Sequence, residues 1–169
     1  KETGATKYAD VKVQKEKQAA TSANCYAVWP YAKVGDVIYS GSTLAGALTS
    51  YTDAQHQDIP NWSPSNKPLS ISAACLEDGT EVILDQDQAN TINGYGVATF
   101  LNINGYRLWG NNTCCYPGNT DPKDRWFAVR RFMSWAANTF ILTYFQKVDN
   151  PMNRRLIDTI IDTCNIWLN

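Results

Sequence analysis

Histidine is almost missing from this chain: in 169 residues there is one, His56. Charge is thin as well, at 18% Asp, Glu, Lys and Arg with a net charge of -1. A surface that near neutrality does not suit nucleic acid, whose phosphates require a basic face. No apolar run is long enough to span a bilayer, and no stretch reads as a signal peptide. The chain has no P-loop lysine, no G-x-G-x-x-G and no G-x-S-x-G, so neither nucleotide binding nor elbow-type hydrolysis has a motif to start from. Its five cysteines form no C-x-x-C pair. An odd number without a secretory signal fits free thiols in a reducing cytoplasm. Ligand spacing and histidine partners for a metal are lacking, so no metal and no cofactor is expected. Cys114-Cys115 reads as a packed corner rather than a redox switch.

Aromatic residues are plentiful by contrast, with six Trp and nine Tyr. Scarce charge and abundant Trp and Tyr suit extensive protein–protein contact, and would also suit a sugar-binding surface. Residues 1–23 are polar and read as a mobile, solvated entry segment with room for a short strand or helix. Cys25–Trp29 and Val37–Tyr39 read as strands, with Ser42 capping a helix that carries Leu44, Ala47, Leu48 and Tyr51. Residues 52–68, with three prolines, form an irregular loop in which Trp62 pins the loop to the body. Asp78-Gly79 and Asn104-Gly105 mark two hairpins, and Asp85 with Gln88 a capping box. Asp121-Pro122 opens a long helix through Tyr144 whose apolar residues cover more than half its circumference. Trp126, Phe132, Met133, Phe140 and Ile141 are expected to be mostly buried there. A last helix opens at Asn150-Pro151, with Ile157, Ile160 and Ile161 packed nearby.

Several segments together carry a resemblance. WGNNTCCYPGNTDPKDRWFAVRRF (109–132) and ILTYFQKVDNPMNRRLIDTIIDTCNIWLN (141–169) are similar to contractile tail sheath proteins of tailed phages and phage-tail-like particles, including bacteriocin particles. PYAKVGDVIYSGS, NWSPSNKPL and DGTEVILDQDQANTINGYG follow the same family in the same order. The resemblance implies an α/β (α+β) fold: a subtilisin-like sheath core domain with mixed sheet and hairpins, then two C-terminal helices. It divides the chain into a polar entry segment (1–23), a core domain (24–147) and the start of a C-terminal sheath domain (148–169), with the family's remaining length lying beyond. It implies a structural subunit, not an enzyme, that polymerises around an inner tube and contracts to drive that tube through a cell envelope. The partners implied are further copies of itself in stacked rings, the inner tail tube protein and the baseplate, with no nucleic acid and no membrane. The place implied is a virion or phage-tail-like particle assembled in the bacterial cytoplasm.

Two other readings stand beside it. Trp29, Trp62 and Trp109 would serve a carbohydrate-binding module, although two consecutive helices are foreign to such all-β modules. His56 with Asp53 or Asp58 and Ser42 or Ser50 would supply the parts of a hydrolase triad, a set that geometry alone can validate. The candidate site residues are Arg130, Arg131, Arg154 and Arg155. An arginine fork grips carboxylates in two places, which suits contacts with another subunit or with the tube. Pairing within the chain, with Asp124, Asp149 or Asp158, is the competing reading.

Overall fold

Asn104 and Gly105 set the register of the central sheet. Both hold positive φ, at 51° and 100°, in a three-residue loop, 103–105, closed by the pairing of Asn102 with Tyr106; the expected hairpin is present with a loop one residue longer than a two-residue turn. The turn joins β5 (Val97–Asn102) to β6 (Tyr106–Trp109), which pair antiparallel with Phe100 opposite Leu108. This computed structural model describes residues 4–149, 151 and 153–168. They form two compact units that divide between Met133 and Ser134.

In the first unit β1 (Ala27–Val28) lies parallel to β5 on its other side, giving the order β1-β5-β6. Residues 97–101 of β5 are all buried, the mark of a strand covered on both faces. Alternation sends Val97 into one apolar cluster with Val11, Trp29, Ile92 and Cys114. Ala98 and Phe100 enter the other, with Val28, Ala45, Leu48 and Leu108. A second sheet, antiparallel and ordered β3-β2-β4, is made of Tyr31–Val34 (β2), Val37–Tyr39 (β3) and Ala73–Cys75 (β4). Helix α2 (Gly41–Ala54) packs on β1 and β2, and α3 (Gln86–Gly94) on β5. A β carbon at Gly41 would collide with the Pro30 carbonyl, so that close approach admits only glycine. The helices and mixed sheets are those of the expected α+β class.

Several local expectations are met. Asp85 and Gln88 form both halves of the capping box. Asp121 accepts from the Lys123 amide, with Pro122 in the first turn. Others need correction. Part of the entry segment is packed rather than solvated: α1 (Val11–Lys17) buries Val11 and Lys15, because one apolar side chain and one lysine stem reach inward from a polar sequence. Ser42 does not cap α2, which starts one residue earlier with Ser40 at the cap position. The chain does turn near Asp78-Gly79, but the turn is centred on Glu77-Asp78, closed by the Gly79 amide on Leu76 O at 3.0 Å, and only β4 is a strand there; Glu81 returns as a single bridge to Cys75.

The long helix is broken at Trp126. A short α4 (Pro122–Arg125) ends there, and α5 (Phe127–Tyr144) begins after it. Trp126 is extended and bridges Asn112. The Thr113 amide donates to Arg125 O at 2.7 Å, and the Phe127 amide to Asn111 O at 2.8 Å. These backbone bonds to the preceding loop take the place of helical ones at Arg125 and Phe127, which offsets the cost of the break.

The second unit holds the rest of α5, a 3₁₀ turn (Phe145–Lys147) and α6 (Arg154–Leu168). Trp135 stacks on Trp167 at 5.3 Å, and the Cys164 thiol reaches the Tyr144 hydroxyl at 4.0 Å. The two helices thus meet as expected, but they do not enclose each other. Phe140, Ile141, Ile157 and Ile161 are exposed, Ile160 half-buried. Met133, at the end of the first unit, is exposed too, and Trp126 and Phe132 are half-buried. The expectation of mostly buried side chains fails here because two helices offer each other one stripe, not a surround. Asn153 caps α6 (Arg154–Leu168), its Oδ1 accepting from the Leu156 amide at 2.8 Å; Asn150, the expected cap, lies outside the described residues.

Candidate functional site

The four arginines fall into two settings. Arg130 and Arg131 leave the first turn of α5 on neighbouring faces. The Arg131 guanidinium grips both carboxylate oxygens of Asp53, at the end of α2, with Nη1 at 3.1 Å from Oδ1 and Nη2 against Oδ2. Both side chains are largely shielded from water. Arg130 donates from Nε to Asn24 Oδ1 at 2.9 Å and from Nη1 to Asp124 Oδ1 at 3.4 Å. Arg130 and Arg131 therefore hold intrachain partners that fix α5 to α2, to α4 and to the segment before β1.

These two arginines belong to a wider clamp. Tyr26 stacks on Phe127 with ring centroids 4.2 Å apart, and its hydroxyl donates to Gly110 O at 2.7 Å. Burial pushes the Tyr26 phenol up. Arg125 lies over the rings of Tyr116 and Trp126 while its Nε donates to Asn112 Oδ1. Sequence reasoning missed Arg125 and Tyr26. Arg125 had only its nearness to the loop 109–120 to mark it, and Tyr26, 84 residues from its partner Gly110, carried no local signal.

Arg154 and Arg155 stand differently. Both are exposed in the first turn of α6, a turn with no acidic residue. Positive charge at a helix N-terminus opposes the helix dipole. Among the described residues neither guanidinium has an ion-pair partner.

The hydrolase parts are not brought together. Asp53 is held by Arg131, and the His56 ring lies flat on Trp62 at 4.2 Å and 8°. Ser42 is paired with Ser40 through their hydroxyls at 2.9 Å. The sugar-binding parts fare no better. Trp29 is buried with its indole N–H donating to Ala5 O at 2.6 Å. Trp62, half open, has a face taken by His56 and the Lys67 ammonium 5.3 Å from its ring centre. Among the described residues no group of three or more His, Cys, Asp or Glu is placed to hold a metal, and no helix is long and apolar enough to cross a membrane.

What this geometry defines is a structural module: a packed α+β unit, an aromatic–arginine clamp around the start of α5, and a helix pair with open apolar faces. The comparisons agree. The chain is 29% identical over 147 residues to the tail sheath protein of Escherichia phage P2, covering 82% of this chain and 35% of that protein. It is 32% identical over 110 residues to the tail sheath protein of Burkholderia phage BcepMu, covering 62% of this chain and 22% of that one. The chain thus spans about a third or less of the length of these relatives. No family model matches it. Among solved structures, the contracted PVC sheath complex of an extracellular contractile injection system matches with a TM-score of 0.77 over 97% of this chain and 44% of its own, at 14% identity. The contracted helical sheath of the anti-feeding prophage matches with a TM-score of 0.71 over 87% of this chain and 40% of its own, at 18% identity. A chain of the anti-feeding prophage baseplate gives 0.70 over 88% and 39%, at 19% identity. The resemblance to contractile tail sheath proteins is borne out: in sequence by two phage sheath proteins, and in fold by the sheaths of phage-tail-like particles.

Proposed function

We propose that this chain is a structural part of a contractile tail sheath. It polymerises with copies of itself around an inner tube and contracts to drive that tube through a target envelope. The observation that carries the reading is similarity to a phage tail sheath protein across 82% of the chain. Its role is mechanical rather than enzymatic, and its place is in the virion or phage-tail-like particle, after assembly in the bacterial cytoplasm. The sheath neighbours in fold come from sheath and baseplate complexes, which favours self-assembly and a baseplate contact here. We read residues 24–147 as a core domain and 148–169 as the start of a C-terminal one.

Within that reading the arginines divide the work. Arg130 and Arg131 hold the clamp of the first unit. Arg154 and Arg155, exposed and without ion pairs among the described residues, are the candidates for a carboxylate on another subunit or on the tube. The open apolar side chains of α5 and α6 suit burial against other parts of the sheath. Immunogold electron microscopy tests the whole proposal, using antibody raised against this chain on particles from the source cells. Labelling along the length of contractile tails is expected. Labelling confined to soluble material, or to non-tail structures, overturns it.

A further inference from the structure

The corner where α1 meets the loop after β6 holds a buried lysine and three cysteines. Lys15 Nζ donates to the carbonyls of Tyr95 and Tyr116 at 2.6 and 2.7 Å. Gly96, at a φ of +70°, admits this close packing because a β carbon there would collide with Tyr116 O. Cys25 packs, half-buried, against the apolar cluster that contains the fully buried Cys114. The Cys114 amide donates to the Cys25 carbonyl at 2.8 Å. That bond keeps the two cysteine backbones side by side, as a disulfide with its roughly 4.4–6.8 Å between α carbons needs. The Cys25 thiol is close enough to the Cys114 thiol to bear on its ionisation. Cys115 is engaged elsewhere, with its sulfur 3.0 Å from Thr113 Oγ1 and 3.4 Å from Asp124 O.

We propose that Cys25 and Cys114 are a dithiol pair that closes to an intrachain disulfide when a small disulfide oxidant such as glutathione disulfide reaches it. The Cys25 thiolate, the more accessible of the two, attacks one sulfur of the oxidant. The oxidant's S–S bond breaks, and one glutathione thiolate leaves and takes a proton. The Cys114 thiolate then attacks the Cys25 sulfur and expels the second glutathione. The two protein thiols give up two electrons and two protons in all, and the oxidant is reduced to two thiols. Burial holds the Cys114 thiol up at about 12, with Cys25 adding to the rise and the Lys15 ammonium opposing it. The second step is therefore slow, and the pair remains open wherever thiols are kept reduced. Closure fastens the segment that follows α1 to the loop 110–117, across a closed loop from residue 25 to residue 114.

The test incubates the folded chain with glutathione disulfide, alkylates the remaining thiols, and maps cross-links by mass spectrometry after digestion. A linked peptide containing Cys25 and Cys114 is expected, two hydrogens lighter than the sum of its parts and separated by dithiothreitol. The oxidised chain should melt roughly 5–10 °C above the reduced one. Cys25→Ser should abolish both link and shift, and Cys115→Ser should keep both. A stable glutathione adduct on Cys25 alone, a link through Cys115, a link between two chains or no reaction each overturns the proposal. The cross-link map of the unaltered chain decides the matter even if a variant folds poorly.

Discussion

The two units make different use of similar side chains. Residues 4–133 contain Phe100, Ile92 and Leu108 with at most 1% of their surface left open. Residues 134–168 are as rich in large apolar groups, yet Leu142 is 67% and Ile166 76% exposed. The first unit has a strand covered on both faces, with helices and a second sheet to cover it. The second has one helix laid against another. The contrast teaches that apolar periodicity specifies which face of a helix seeks cover and says nothing of where the cover comes from. Burying Phe or Leu stabilises by about 1.5–3 kcal/mol each, and the second unit leaves much of that unrealised within this chain.

The sharpest way to break this comparison pairs Phe100→Ala with Phe140→Ala. Phe100→Ala should cost about 3–5 kcal/mol, from lost transfer energy and a cavity. Phe140 is 44% exposed, and its truncation should cost under about 1.5 kcal/mol in the same urea titration. Equal losses would mean that α5 is enclosed in solution, and the two units would no longer differ.

The clamp comes next in size. Asp53→Ala leaves the Arg131 fork without its carboxylate in a partly buried position. A loss of about 2–3 kcal/mol is expected. A loss near zero would place Arg131 with the exposed arginines of α6 rather than with the core of the first unit.

How much of this was legible beforehand depended on the range of the forces. Asn104-Gly105, the Asp85–Gln88 box and Asp121-Pro122 are set by neighbours a few residues away, and all were readable. The break at Trp126 was not. It is made by backbone bonds from Thr113 to Arg125 and from Phe127 to Asn111, across a loop whose path no periodicity encodes. The Arg131–Asp53 pair spans 78 residues, and the residues around Asp53 offer it to a triad with His56 while giving no sign of that distant partner. Val11 was hidden by its polar surroundings, since one inward side chain makes no pattern. The family resemblance outran all of these, because it rested on ordered segments over most of the chain.

A smaller effect belongs to the buried corner of the first unit. The Cys114 thiol, held up at about 12 by burial, keeps its proton after an unfolded chain has lost it. Between its ordinary value of 9 and about 12 the folded state thus binds more protons, and stability falls as pH rises. Tyr26, also raised by burial, pulls the same way at higher pH, while Lys15, lowered by burial, pulls the opposite way below its ordinary 10.5. The informative quantity is the difference between the parent chain and Cys114→Ala. From pH 8 to pH 10 the variant should lose less stability, by up to about 1 kcal/mol. Parallel curves would show that the Cys114 thiol is open to water, and the contrast between a sealed first unit and an open second one would weaken.

The smallest effect on folding is expected where assembly should be most affected. Arg154 and Arg155 are exposed on a helix whose dipole they oppose, and their loss from the fold should cost within about 0.5 kcal/mol. Reversing them to glutamate should even favour the α6 N-terminus slightly, since negative charge suits that end. If they serve only this chain, Arg154→Glu with Arg155→Glu is therefore neutral or mildly stabilising, and sheaths form as before. If they meet carboxylates on another subunit or on the tube, reversal removes attraction and adds repulsion at each copy. Charges at the rim of an interface set orientation and salt dependence more than raw affinity. Such a mutant should then give short or misregistered sheaths whose yield depends on salt, while its melting temperature matches the parent's. Electron microscopy of particles carrying the double variant reads the first property and calorimetry of the purified protein the second. Sheaths of normal length and contractility would return this pair to the solvated surface, and leave the open apolar faces of α5 and α6 as the second unit's means of assembly.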